Sequence, residues 1–431
     1  MARKLILRYR SGDSSVNSGS RTSRQSNKNN LLRGFLGPDS IGVRQSLLAL
    51  VISSLTATSA GALLAGITGT LEKLPGLLVL VPAAIGMRGN IFGALGSRLS
   101  TSIHAGTFRL SRRFDTIVGQ NIIAASILSL VTAVALGLLT KVLAPMFGLD
   151  AVIGMSDLVV VSGVGALLSS AVVMLVALFL ASSSARHSWD LDNVNAPLVS
   201  AVGDLVTLPA LFVGSLLVAS GALTVFFALF FGIASLASLV WAMRGAPALV
   251  VQIIRESVPV LLGTGVVLII AGVVIEHRIN DFASYRTLLV LVPACLAAAG
   301  AIGGILSGRL SSKLHLGVIE PATIPGRSAR RDLRFGFFLA IPIFVLNGLL
   351  AQSIGYVFSF SSPGMIKVIL ISLIGGLIAT GLAGVIAYYG TVLALRIGVD
   401  PDTYGIPLVT STVDLAGAAG LVLAISWVGV S

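Results

Sequence analysis

Apolar residues run through this chain in stretches of about 20, the length of an α-helix that crosses the hydrocarbon core of a bilayer, and charged residues gather between the stretches. Eleven such stretches can be counted, near 45–70, 76–97, 117–143, 158–182, 197–218, 221–243, 257–276, 287–307, 335–356, 366–392 and 407–429. The pattern predicts an all-α polytopic membrane protein with about 11 transmembrane helices. Alternate connections differ in charge. Arg98, Arg109, Arg112 and Arg113 follow the second stretch, and Arg309, Lys313, Arg327, Arg330, Arg331 and Arg334 follow the eighth. The intervening connections hold Lys73, Lys141, Arg278, Arg286 and Lys367. The positive-inside rule then puts the N-terminus in the cytoplasm and the C-terminus outside a multi-pass protein of the cell membrane.

The pattern repeats. VLVPAAIGMRGNIFGALGSRLSTSIHAG, from Val79, aligns without a gap on VLVPACLAAAGAIGGILSGRLSSKLHLG, from Val290, at an offset of 211. The segment from Asp190, DLDNVNAPLVSAVGD, pairs with DPDTYGIPLVTSTVD from Asp400 at an offset of 210. Each copy holds five stretches, an odd number, which in direct tandem would insert the second copy upside down. The sixth stretch, with no counterpart, restores the parallel orientation. The expected organisation is a basic tail (1–44), a first five-helix repeat (45–219), a connecting transmembrane helix (220–246) and a second five-helix repeat (247–431). The two repeats are expected to be related by a pseudo-twofold axis along the membrane normal, a pseudo-dimer within one chain.

Composition narrows this picture. With 55% hydrophobic and 11% charged residues, the chain lies outside the range of soluble globular domains. A net charge of +12 would suit nucleic acid, but the basic residues sit in the tail and in alternate connections, so no nucleic-acid partner is expected. Residues 1–44 carry nine Lys or Arg against two Asp and lack the apolar core of a signal peptide, which suggests a cytoplasmic tail that can meet anionic lipid of the bilayer. Cys295 stands alone in an apolar setting and reads as a packing residue.

The candidate chemistry lies in the repeated acids. Of 17 acidic residues, Asp204 and Asp414 are those placed well inside a stretch, seven residues or roughly 10 Å after Pro197 and Pro407. Ser200 and Thr207 share a helical face with Asp204, as Thr410 and Ser411 do with Asp414. One reading makes each Asp a buried hydrogen-bonding strut between helices. The other uses the repetition: a twofold axis would bring both carboxylates into one space, where a divalent cation would offset their repulsion. Asp190, Asp192, Asp400 and Asp402 precede these helices, and helix capping and a cation-collecting cytoplasmic mouth are compatible roles for them. Pro82 to Gly93 and Pro293 to Gly304 combine a proline with spaced glycines. They suit either close helix packing or a distorted helix whose free carbonyls line a cavity with Asn90, whose counterpart is Ala301. Arg88, opposite Ala299, could neutralise an Asp or snorkel to a surface. His104 and His315 read as loop residues, no Cys or His lies at zinc-ligand spacing, and no catalytic constellation is present, so an enzyme is not expected.

On the segments Val81–Ser102 and D-x-D-N…P-L-V-x-x-x-x-D, the second in both halves, the sequence resembles the MgtE and solute carrier family 41 magnesium transporters. The resemblance is to the fused two-repeat type with an extra connecting helix. It implies that Asp204 and Asp414 bind the magnesium ion in the pore, with Asn90 as the pore-side Asn of the second span. The acidic cytosolic sensor domains of the bacterial members have no counterpart in the sequence, so gating by cytosolic magnesium is not expected. These readings converge on transport of Mg2+ at the interface of the repeats, the ion held through its hydration shell by paired carboxylates with Ser and Thr. No organic cofactor is expected. An exchanger coupling Mg2+ to Na+ or H+ uses the same residues, and a non-transporting scaffold is the third alternative.

Overall fold

The computed structural model describes residues 40–111, 113–150, 152–187, 191–219, 221–315, 317–397 and 406–429. Most of the expected tail, together with Asp190, Asp400 and Asp402, lies outside them, as does the side chain of Asp192. The described chain is helical: α1 (Ser40–Gly66), α2 (Thr68–Lys73), α3 (Leu77–His104), α4 (Ile117–Met146), α5 (Met155–His187), α6 (Leu191–Leu216), α7 (Gly221–Arg244), α8 (Ala248–Glu276), α9 (Ile279–Ser284), α10 (Arg286–His315), α11 (Arg327–Val357), α12 (Met365–Ile397) and α13 (Ile406–Val428). Eleven of these are long and apolar enough to cross a membrane, all but the short α2 and α9. This is an all-α polytopic membrane protein.

Several helices outrun their apolar stretches. Arg98 lies within α3, and Arg309 and Lys313 lie within α10; Arg327, Arg330, Arg331 and Arg334 form the first two turns of α11 rather than a loop. Hydropathy falls at the first charge, whereas backbone hydrogen bonding continues until a terminator: α3 is followed by Gly106, at φ +67°, and α10 by Gly317, at φ +69°. Of the two readings of these segments, a helix interrupted at the proline is not seen: α3 and α10 run unbroken through Pro82 and Pro293. Each proline stands within eight residues of its helix start, where it removes one bond near a terminus and leaves the remaining turns intact. Pro407 occupies the first turn of α13, but α6 begins at Leu191, six residues before Pro197.

The same packing contacts occur twice. A Cβ added at Gly61 would lie 2.3 Å from the carbonyl oxygen of Val290, and one at Gly272 would lie 2.2 Å from that of Val79, so α1 crosses α10 as α8 crosses α3. Ser162 donates to the Ala133 carbonyl at 2.8 Å, and Ser372 donates to that of Phe344 at 2.6 Å. Gly137 meets the Val159 backbone as Gly348 meets that of Ile369. In the last two contacts the α4 and α11 members differ by 211 and the α5 and α12 members by 210, so the offset changes in the connection after α4 and α11, which is one residue shorter in the second copy. Even the short α2 recurs as α9 at the offset of 211.

α3 and α10 are the central helices: Leu77–Ala84 is buried all round, as is Leu288–Ala294. α3 packs on α4, α5 and α6, and α10 packs on α11, α12 and α13. α8, the helix that opens the second copy, packs on α3 and α4 of the first as well as on α13. The two sets are thereby laced together. α7 lies at the outside against α5 and α4, with Phe231 pressed on Gly163 and most of its remaining surface exposed.

Candidate ion-binding site

Asp204 and Asp414 stand at matching places on α6 and α13, yet their surroundings differ. Asp204 is 3% exposed, and its Oδ2 has no hydrogen-bond partner among the described residues. Three residues on, Thr207 is fully buried and donates its hydroxyl proton to the Gly203 carbonyl at 2.6 Å. Its oxygen keeps its lone pairs, the part of a threonine that can face a cation. Ser200, one turn earlier, is half-buried. Asp414 is also half-buried.

Glycine shapes the space beside Asp414. A Cβ at Gly300, on α10, would come within 3.0 Å of Asp414 Oδ1, so the carboxylate leans on bare helix backbone. Gly89 occupies the equivalent place on α3, and nothing lies within 4 Å of its Cβ position. Asn90, also on α3, donates from Nδ2 to Ser411 Oγ of α13 at 3.4 Å. That contact joins the two copies beside Asp414. Thr410 donates to the Pro407 carbonyl at 3.1 Å. Among the described residues no ion pair involves Asp204 or Asp414, and no three His, Cys, Asp or Glu side chains cluster. Carboxylate, hydroxyl and amide oxygens of the kind found on these helices suit a hard ion.

A family model described as "Divalent cation transporter", MgtE, matches residues 81–214 and again residues 292–424. The chain belongs to the MgtE family. The two matches together cover more than half the chain, and each contains one of the two aspartates. Solute carrier family 41 member 2 of Homo sapiens is 25% identical over 379 residues, 82% of this chain and 64% of that protein. Solute carrier family 41 member 3 of Mus musculus is 23% identical over 376 residues, 80% of this chain and 74% of that protein. The chain thus spans less than two thirds of the human relative's length. No solved structure matches.

Around this MgtE-type core the structure decides the role of Arg88 and adds groups that hydropathy did not pick out. Arg88 is 2% exposed and donates from Nη1 to Ser170 Oγ of α5 at 3.0 Å; its Cβ lies beside Gly203, but its guanidinium neutralises neither aspartate. Asp332, outside the expected ninth span, lies inside α11 at 1% exposure and pairs with Arg309 at 3.2 Å and Lys313 at 2.5 Å. Arg309 also lies over the Phe335 ring, 4.6 Å from its centroid. In the first copy the equivalent positions are Asn121, Arg98 and Ser102, and Arg98 turns instead to Ser257 at 3.3 Å. Glu276, at the end of α8, is buried and accepts from the Gly76 amide at 3.1 Å, which ties the second copy to the start of α3. The signal for Asp332 was helical phase: it falls in register with buried Gly336, Leu339, Ala340 and Ile343.

Proposed function

We propose that this protein moves Mg2+ across the cell membrane along a path between the two five-helix copies, 45–219 and 247–431, with the ion held between Asp204 and Asp414. The observation that carries the reading is that the two repeats place a carboxylate at matching positions of α6 and α13, with Asn90 of the first repeat bonded to Ser411 beside the second carboxylate. Carboxylates within membrane spans cost several kcal/mol unless protein, water or a cation offsets them, and no cationic side chain pairs with either among the described residues. The family description supports a divalent cation as the substrate, and the relatives' names describe solute carriers. Magnesium holds its water tightly, so Thr207, Thr410, Ser411 and Asn90 would serve as hydrogen-bonding partners of the hydrated ion. Cytoplasmic placement of the N-terminus, with the C-terminus outside, completes the reading.

Liposomes containing the purified protein and a Mg2+ indicator test it. Asp204→Asn and Asp414→Asn should each lower Mg2+ flux at least roughly tenfold, the size of an effect worth about 1.4 kcal/mol. Wild-type flux in both variants would remove the site. The second reading, exchange against Na+ or H+, is favoured by the burial of Asp204, a carboxylate positioned to hold a small cation in the absence of Mg2+. A flux that requires a Na+ or pH gradient would select the exchanger, and a flux indifferent to both would select the channel.

A further inference from the structure

We infer that the first turns of α11 form a docking surface for the headgroups of anionic phospholipids. Arg327, Arg330, Arg331 and Arg334 are all exposed, and their spacings of three and four put them on one face of the helix. The next turns of that face carry exposed Phe337, Phe338 and Ile341. Read along its length, the face is cationic at the helix start and then aromatic and aliphatic, the order in which a phospholipid presents its phosphate and its chains. Ile324, in the connection just before α11, is 75% exposed and adds an apolar side chain close in sequence. That connection is held in place: Tyr388 and Tyr389 of α12 donate their hydroxyls to the Ala322 and Thr323 carbonyls.

The protein itself supplies no anion to this face. Asp332, the acid within these turns, points inward and is taken by Arg309 and Lys313. Among the described residues none of the four arginines forms an ion pair, and one of their donors, Arg330 Nε, is used on the Pro325 carbonyl at 3.0 Å. Positive charge in the first turns of a helix opposes its dipole, and the positive-inside rule asks for basic residues in this connection without asking that they share one face of a helix. The repeat does not ask for it either. The equivalent residues at the start of α4 are Thr116, Gly119, Gln120 and Ile123, without a charge among them. Arginine forks bind phosphate oxygens in pairs, and a leaflet of negative surface potential draws basic groups at the ends of spans. The surface depends on the membrane reading alone and is independent of the ion site.

The test uses the full chain in bilayers of phosphatidylcholine with spin-labelled phosphatidylglycerol or spin-labelled phosphatidylcholine as probe. The motionally restricted fraction reports lipid held at the protein surface. Wild type should prefer the anionic probe, and R327Q/R330Q/R331Q/R334Q should lose roughly fivefold or more of that preference, one charge's worth at a membrane surface. R109Q/R113Q, on the basic connection of the first copy, should retain it. R331Q/R334Q serves as a milder variant should the fourfold change impair insertion, and it should lose part of the preference. An unchanged preference in the fourfold or the milder variant overturns the proposal. Equal loss in R109Q/R113Q does so as well, because the preference would then follow total charge. Displacement of the probe by a soluble acidic peptide at low molar excess would instead assign the face to a protein partner.

Discussion

The crossing of α8 over α3 rests on Gly272, and replacing that glycine puts the packing to a direct test. A methyl at Gly272 would stand 2.2 Å from the Val79 oxygen and 2.7 Å from its Cα, both backbone atoms that no rotamer change can move aside. Ordinary contact needs about 3.5 Å, so the crossing must open by more than about 1 Å. Overpacking of this kind costs roughly 1–3 kcal/mol and at times more, and a gap of that size also forfeits a quarter to a half of the dispersion attraction along the seam. Alanine's better helix propensity returns about 1 kcal/mol. Gly272→Ala should therefore be destabilised by up to roughly 2 kcal/mol after that return. Gly263→Ala is the control on the same helix: nothing lies within 4 Å of its Cβ position, so the propensity gain stands alone. Heating the detergent-solubilised protein and measuring the monodisperse fraction by size exclusion separates the two. The apparent Tm of Gly272→Ala should fall several degrees below that of Gly263→Ala, and Gly61→Ala, with 2.3 Å to the Val290 oxygen, should behave as Gly272→Ala does. Equal stability of Gly272→Ala and Gly263→Ala would refute the crossing.

Two further perturbations follow from the differences between the copies. Gly300→Ala would bring a methyl within 3.0 Å of Asp414 Oδ1, whereas Gly89→Ala meets nothing within 4 Å; the first should raise the half-saturating Mg2+ concentration in liposome flux several-fold, by roughly 1 kcal/mol, with Gly89→Ala close to wild type, and equal effects would show that the aspartates sit alike. Asp332→Asn leaves Arg309 and Lys313, whose side chains are 30% and 28% exposed, without their carboxylate. Because the cations keep part of their water, the loss should be roughly 1–3 kcal/mol rather than the full cost of breaking a buried pair. Lys313→Ser added to it, which reproduces the first copy's Ser102 and Asn121, should recover part of the stability in thermal unfolding.

Much of the fold was legible because a bilayer imposes one length on every crossing and the repeat supplied a second reading of each segment. All eleven long helices fall where the apolar stretches lie. Their ends were less legible, since hydropathy stops at Arg334 or Arg98 while the helix does not. Helical phase, carried past the first charges, separates inward Asp332 from outward Arg330, Arg331 and Arg334, and that one step yields both a buried ion pair and an exposed basic face. The lacing of α8 over α3 was not legible from hydropathy, which states how deep a residue lies but not which helix it faces. The trace it did leave is a glycine repeated at the offset of 211, Gly61 and Gly272.

The acids were legible as residues at matching places of the two copies, and the structure gives them unequal surroundings. An alignment of the copies equates Asp204 with Asp414, whereas their exposure and contacts depend on neighbours that the alignment also shows to differ: Arg88 against Ala299, and Asn90 against Ala301. A dimer of identical subunits must present each residue twice across its axis. A chain that carries both copies in one polypeptide is free of that constraint, and the charged differences collect where freedom is useful. Arg88 fills only one side of the core, Asp332 and Lys313 lock only the second copy's α10 to α11, and the arginine face marks only the second copy's α11. The two aspartates, by contrast, stand at the same place in both copies. If the ion needs both carboxylates, divergence around them can tune approach and release on each side separately, which means that Asp204→Asn and Asp414→Asn should differ in degree while agreeing in direction.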